Sequence, residues 1–209
     1  MAVFRQVGNT VLGEQGIALL VTLLMLIAVL LLGASAARMA MLGEKAARAE
    51  RDRYVALQAA EDALADAERE INGSAASAPA RAGLLAAGNG LGFVPGCGVG
   101  ADNPALGLCA YAGADAPAWE TVDIGDDGAA SPSVPFGRFT GAAMETGQGF
   151  LPFKRPRYII ERMPYHPPGA DAASTHYFYR VTAIGFGARE STEVVLQGSY
   201  RQADGGGAP

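Results

Sequence analysis

A chain of 209 residues and 21.4 kDa has room for one ordinary domain plus a targeting or anchoring segment, but not for two full-sized domains. Its net charge of -5 and pI near 5.0 leave no electrostatic footprint for nucleic acid, because phosphate binding needs clustered Lys and Arg that release counterions. With 28 glycines and 12 prolines, concentrated after residue 72, the globular part is expected to be rich in loops.

The first 16 residues, MAVFRQVGNTVLGEQG, lean polar and end in Gly16. The apolar block IALLVTLLMLIAVLLLGASAA begins at once with Ile17 and runs 21 residues to Ala37 without a charge. A helix needs about 20 such residues to span a hydrocarbon core, so 17–37 is read as a membrane segment. A cleaved secretory h-region would be shorter, about 7 to 15 residues, and would lead to a small-residue cleavage site and a change of character. Here the helical pattern continues instead. The junction resembles the class III leader of type IV pilins and pseudopilins, which prepilin peptidase cuts after a glycine on the cytoplasmic side. That resemblance implies a leader over 1–16, a cut between Gly16 and Ile17, and a mature, N-methylated Ile17. Most type IV pilins carry Glu at the fifth mature position, where it can pair with a neighbour's terminal amine, but this sequence has Val21. A carboxylate in lipid is costly and is kept only where a partner compensates it. Its absence implies a subunit that need not stack beneath another, as in minor pilins placed at a filament tip.

From 38 to 72 the chain is built of strong helix formers, with no proline and with Gly43 as an internal glycine. Leu57, Ala60, Leu64, Ala67 and Ile71 recur at spacings of three and four, which predicts a packing stripe on an amphipathic continuation of the helix. Glu44 with Arg48, and Glu61 or Asp62 with Arg69, are expected as ion pairs on the solvated face. Asn72 and Gly73 supply the stop, Gly73 as a left-handed terminator. The run Arg51, Asp52, Arg53, then Gln58, Ala59, Ala60, Glu61 and onward to Glu68 resembles the N-terminal region of the PilX-type minor pilins of type IV pili. The resemblance covers Gly16 to about Ile71. The stretches 179–187 and 194–200 resemble the family's final hairpin, while 73–155 carries no quotable likeness. Taken without the membrane segment and this run, the Leu/Ala stripe would suit a soluble coiled-coil stalk or an ordinary core helix as well.

Residues 73–155 read as a loop-rich variable region. Cys97 and Cys109 lie in it, 12 positions apart, with no CxxC and no further thiol, so a metal site is not expected. In an extracytoplasmic head a disulfide between them would close a short loop and stabilise by roughly 3 kcal/mol; the alternative is two free, partly buried thiols. Trp119 to Ile124 is expected as a short strand that offers Trp119, Val122 and Ile124 to a core. Over 156–202 three strands are predicted, at 157–163, 176–186 and 191–200, the last two joined by a turn at Gly187, Ala188 and Arg189 and therefore antiparallel. Alternation along 177–184 suggests a half-buried sheet, and the stripe around Leu57 and Leu64 is its natural partner. The expected fold class is α+β, a long N-terminal helix packed on a small antiparallel sheet, which is also the pilin architecture the resemblance implies. Residues 203–209 are expected to be a disordered tail.

No catalytic residue, cofactor site or metal site is predicted. His166 and His176 lack a serine or acid at useful spacing and read as structural or exposed. Glycines 96, 98 and 100 lack the Lys-Ser/Thr of a phosphate loop. The Asp123 to Gly128 turn offers carboxylates to calcium but lacks the alternating ligands and terminal Glu of an EF-hand, so a solvated acidic turn is expected. A plain positive-inside count, with Arg5 before the span and Arg38, Lys45, Arg48, Arg51 and Arg53 after it, would put the head in the cytoplasm. The cysteine-bearing head, the Gly16 junction and the family resemblance point the other way, to an inner-membrane single-pass protein with a periplasmic head that later joins the pilus tip. The resemblance implies as partners the lipid bilayer, prepilin peptidase, other minor pilins, the major pilin and the inner-membrane assembly platform, with adhesion or twitching motility downstream. Two other readings stand beside it: a type II secretion tip pseudopilin, whose relatives usually carry a much larger inserted head, and an uncleaved single-pass protein with a periplasmic binding head.

Overall fold

A computed structural model describes residues 14–73, 78–86, 90–113, 115–147, 149–166, 168–169 and 176–202. The expected leader, apart from 14–16, and the expected tail 203–209 lie outside them. Helix α1 runs Glu14–Ile71, as an uninterrupted stretch of Leu, Ala, Glu and Arg without proline dictates. It stops where predicted: Asn72 N donates to Glu68 O at 2.9 Å, Gly73 N to Glu70 O at 3.1 Å, and Gly73 takes φ +80°. The chain divides into two compact units, 1–49 and 50–209. In the first, the described chain is helix throughout.

The second unit contains α1 from residue 50 onward, about six turns, the short helices α2 (Pro79–Ala86) and α3 (Ala118–Thr121), and a five-stranded sheet. Its strands are β1 (Leu108–Ala110), β2 (Val134–Pro135), β3 (Arg157–Tyr165), β4 (His176–Phe186) and β5 (Glu193–Tyr200). β3, β4 and β5 form an antiparallel meander with Ile160 opposite Val181 and Gly185 opposite Val194. The other edge of β3 is shared: β2 pairs antiparallel at Val134↔Tyr158, and β1 pairs parallel at Leu108↔Ile160. The sheet is thus mixed and mostly antiparallel rather than purely antiparallel. β1 is only three residues without a β-branched side chain, so no local pattern announces it.

Both faces of the sheet are covered. Tyr158, Ile160, Tyr179, Val181 and Ala183 meet Ala63, Ala67 and Ile71 of α1, with Leu85, Leu106 and Phe139 closing the sides. On the far face Ile159, Ile184 and Phe186 pack with Cys97, Cys109, Ala118 and Ile124. Hence Val181 to Phe186 are buried without alternation. The half-buried expectation for β4 fails because the loops between 97 and 155 form a third layer. The expected strand at Trp119 to Ile124 is instead the single turn α3. Pro117 caps it, and Ala118 N is bound by Glu161 Oε1 at 3.0 Å, leaving Trp119 outside the core at 39% exposure. Ile124 is buried as expected.

Candidate functional site

Two surfaces of α1 carry the features that need explaining, one in each unit. In the first unit every large apolar side chain from Ile17 to Leu32 is exposed, between 45% and 71%. Among the described residues α1 is the helix long and apolar enough to cross a membrane; its 18-residue apolar window has a mean hydropathy of 3.0, and none of it is buried. Its polar atoms are satisfied internally: Thr22 Oγ1 donates to Leu19 O at 3.0 Å and Ser35 Oγ to Leu31 O at 2.8 Å, the arrangement a hydroxyl needs where water is absent. Gly16 and Ile17 lie in the exposed first turns, and a Cβ at Gly16 would meet nothing within 4 Å.

In the second unit the helix turns an alanine seam to the sheet. Ala56, Ala59, Ala60, Ala63, Ala67 and Ile71 are 2% exposed or less, whereas Leu57 and Leu64 are half-buried at the flanks of that seam. Gly185 gives the reason: a Cβ there would lie 2.1 Å from Ala56 O and 2.3 Å from Ala60 N. β4 approaches the helix backbone too closely for leucine to fit between them.

The motif shared with the pilin resemblance separates by side. Asp52 turns inward, although it lies between Arg51 and Arg53, which are exposed. Its Oδ1 accepts Ala188 N at 2.7 Å and Arg189 N at 3.2 Å, and its Oδ2 accepts Arg189 Nε at 2.9 Å and the Thr192 hydroxyl. Burial alone would raise its pKa; the hydrogen bonds from Thr192, Arg189 and the two backbone amides outweigh burial and hold the carboxyl below its ordinary value. One carboxylate therefore clamps the β4–β5 turn onto the helix. Ala59 and Ala60 belong to the seam. Arg51, Arg53, Gln58 and Glu61 are exposed, with the Arg51 guanidinium 3.8 Å from the centre of the Phe150 ring. Glu44 and Arg48 pair as expected, but Arg69 pairs with Asp66 at 3.3 Å rather than with Glu61 or Asp62, since Asp66 lies one turn back on its own side of the helix.

Beneath the last turns of α1 lies a buried polar network that no periodicity signalled. Arg81 of α2, fully buried, donates Nε to Glu70 Oε2 at 2.8 Å and Nη1 to the carbonyls of Pro104 and Leu106. Tyr158 donates its hydroxyl to Glu70 Oε1, and Asp66 accepts Gly137 N at 2.8 Å and the Thr140 hydroxyl. Burial pushes Glu70 upward, Arg81 and Tyr158 pulling the other way; burial and the two carboxylates push the Tyr158 phenol well above its usual value. The network ties α1, α2, β3 and the 104–140 loops together. Glu70 and Asp66 sit beside the alanine seam, so a Leu/Ala stripe read for hydrophobicity passes over them. Cys97 and Cys109 are disulfide-bonded in the far-face cluster. Among the described residues no three metal-ligating side chains cluster; in the acidic turn, Asp123 and Asp126 cap the amides of Gly125 and Gly128. His166 and His176 are exposed.

Comparison with known proteins gives two family matches. Residues 15–65 match the family model described as PilX N-terminal, and residues 97–202 that described as Type IV pilus assembly protein PilX C-term. The second spans just over half of the chain and takes in 97–155, where the sequence alone offered no likeness. No curated protein and no solved structure matches. The family is a structural, non-enzymatic one whose partners belong to the pilus machinery. A long N-terminal helix on a mixed, mostly antiparallel sheet is a pilin-like architecture, its apolar N-terminal half is consistent with membrane anchoring, and with both family regions matched, this chain belongs to the type IV pilus assembly protein PilX family.

Proposed function

We propose that the chain is a minor pilin that primes assembly of a type IV pilus or sits at its tip, and thereby supports adhesion or twitching motility. The observation that carries this reading is the wholly exposed apolar face from Ile17 to Leu32, in a chain of the PilX family. That face is stable only in lipid or against other helices. Within lipid no hydrophobic gain drives helices together, so association rests on side-chain packing. The helix waits in the inner membrane with the head in the periplasm, after prepilin peptidase has cut between Gly16 and Ile17. It then leaves the bilayer through the assembly platform by packing against other minor pilins and the major pilin. Val21 at the fifth mature position makes no charge contact to a neighbour's terminal amine, which suits a subunit with none above it. The N-terminal family match begins at residue 15, at the cleavage junction, and supports the same reading. Mass spectrometry of the membrane-extracted protein should find methylated Ile17 as the first residue. Replacing Val21 or Leu24 with Asp should abolish piliation while the protein still accumulates; full piliation in those variants, or a start at Met1 in cells with active peptidase, would overturn the proposal.

A further inference from the structure

On the far side of the sheet from α1, Arg157 opens β3 with a side chain more than nine-tenths buried. Its Nε donates to Ser133 Oγ at 2.7 Å, and its Nη2 to Ser131 Oγ at 3.0 Å and Ser133 O at 2.7 Å. Both serine hydroxyls spend their own protons elsewhere, Ser133 on Ile124 O at 2.8 Å and Ser131 on Asp126 O at 2.6 Å. They are thereby fixed as acceptors aimed at the guanidinium. Nη1 has no hydrogen-bond partner among the described residues, yet it is not among the buried polar atoms sealed without one. The Arg157 side chain lines a cavity of about 200 Å³ together with Arg138, Asp127, Ser131, Leu106 and Pro135 among others.

A buried guanidinium ordinarily has a carboxylate against it, because an unpaired buried charge is costly. Among the described residues no carboxylate comes within the 4.0 Å of an ion pair with Arg157. Burial lowers its pKa, and Asp127 and Asp126 only counter that from longer range. Arg138, on the same cavity, uses Nε and Nη2 on Ala101 O and Asp102 Oδ1, which leaves its Nη1 without a partner among the described residues. Asp102 itself is fully exposed. Two arginine side chains thus line one small cavity, with Asp127 and Ser131 as its other polar side chains and Ala101, Leu106, Ala129 and Pro135 as its apolar ones.

We propose that this cavity is a receptor for one carboxylate on an aliphatic stem, an Asp or Glu side chain presented by an acidic segment of a partner protein. A carboxylate accepts from two guanidinium nitrogens in the geometry such groups favour, and the walls at Ala101, Leu106 and Pro135 suit the stem's methylenes. Among the described residues no aromatic ring lines the cavity, so a sugar acid would find no flat surface there for the C–H face of its ring. Asp127 on the wall disfavours a multiply charged phosphate more than a single carboxylate. The inference names a contact beyond packing of the apolar helix and does not depend on it.

The test uses the full-length chain in detergent at low salt, with the arginine side-chain NMR signals followed during titration. The probes are a capped glycine peptide with one internal Glu, the same peptide with Gln, glucuronate, and inorganic phosphate. The Glu peptide should give saturable shifts at Arg157 and Arg138, the Gln peptide none. R138Q should weaken binding about tenfold or more, one charge-assisted bond being lost. R157Q should abolish binding, but it also removes three bonds to the 131–133 segment, so R138Q, on the exposed rim, is the deciding variant. Equal titration by the Glu and Gln peptides, no saturation by either, or unchanged affinity in R138Q would overturn the proposal. Tighter binding of glucuronate or phosphate than of the Glu peptide would overturn the assignment to a protein partner.

Discussion

Gly185→Ala tests whether the alanine seam and the glycine opposite it set how closely helix and sheet approach. The added Cβ would lie 2.1 Å from Ala56 O, 2.3 Å from Ala60 N and 2.9 Å from Ala60 Cα. These are backbone atoms of one helical turn, the acceptor and donor of a single i, i+4 hydrogen bond, so no rotamer change relieves the clash. α1 and β4 must move apart by about 1 Å, and a gap of that size forfeits a quarter to a half of each dispersion contact along the seam. Overpacking of this kind costs about 1–3 kcal/mol, and the backbone nature of the clash puts Gly185 at the upper end. The smaller entropy of the unfolded alanine chain returns about 0.4–1 kcal/mol. A net loss near 2 kcal/mol should lower the thermal midpoint of the detergent-solubilised chain by about 4–8 °C, read by near-ultraviolet circular dichroism of the head. Gly43→Ala, where a Cβ meets nothing within 4 Å, is the matched control and should leave the head's midpoint unchanged. An unaltered midpoint in Gly185→Ala would refute the close-approach argument.

Asp52→Asn keeps the shape of the clamp but loses its charge-assisted bonds, and should cost about 1.5–3 kcal/mol at neutral pH in urea unfolding. Because the folded carboxyl has a lowered pKa, its contribution is complete above the unfolded value near 4 and disappears as pH falls through the folded value. The gap between wild type and Asp52→Asn should therefore be constant at neutral pH and close in acid. Glu70, whose pKa is raised, contributes the opposite slope, but it is present in both proteins and cancels in the difference; a pH-independent gap would rule out the ionised clamp. Replacing Cys97 and Cys109 together with Ser should cost roughly 3 kcal/mol, the loop-entropy value for a closure of this length. Adding a reductant to the wild type should move its urea midpoint by a similar amount and leave the variant's alone, and a wild type indifferent to reductant would show that the bridge adds nothing.

Much of this molecule is legible from its sequence because the relevant signals are local. Twenty-one uncharged residues from Ile17 specify a helix that lipid or other helices must cover, whatever the rest of the chain does. The helix formers up to Ile71 and the Asn72-Gly73 stop mark where that helix ends. The alternating Tyr, Phe, Val and Ile after Arg157, with a glycine turn at 187, specify the antiparallel hairpin. Each of these rests on a periodicity or on a turn chemistry contained within a few neighbouring residues.

What only the tertiary structure decided is which of those surfaces meet, because contacts between residues far apart in sequence leave no periodic trace. Asp52 reads as one charge among several until the hairpin 136 residues later is folded against it. The alanines at 56, 59, 60, 63 and 67 read as filler beside Leu57 and Leu64, until Gly185 brings a strand so near the helix that only a methyl group fits. Arg81, Glu70 and Tyr158 find one another across 11 and 88 positions. Arg157 becomes a buried cation only when the serines at 131 and 133 close around it. Local chemistry chose the helix and the strands; long-range packing, through close approach and the need to pair buried charge, chose the faces they turn to each other.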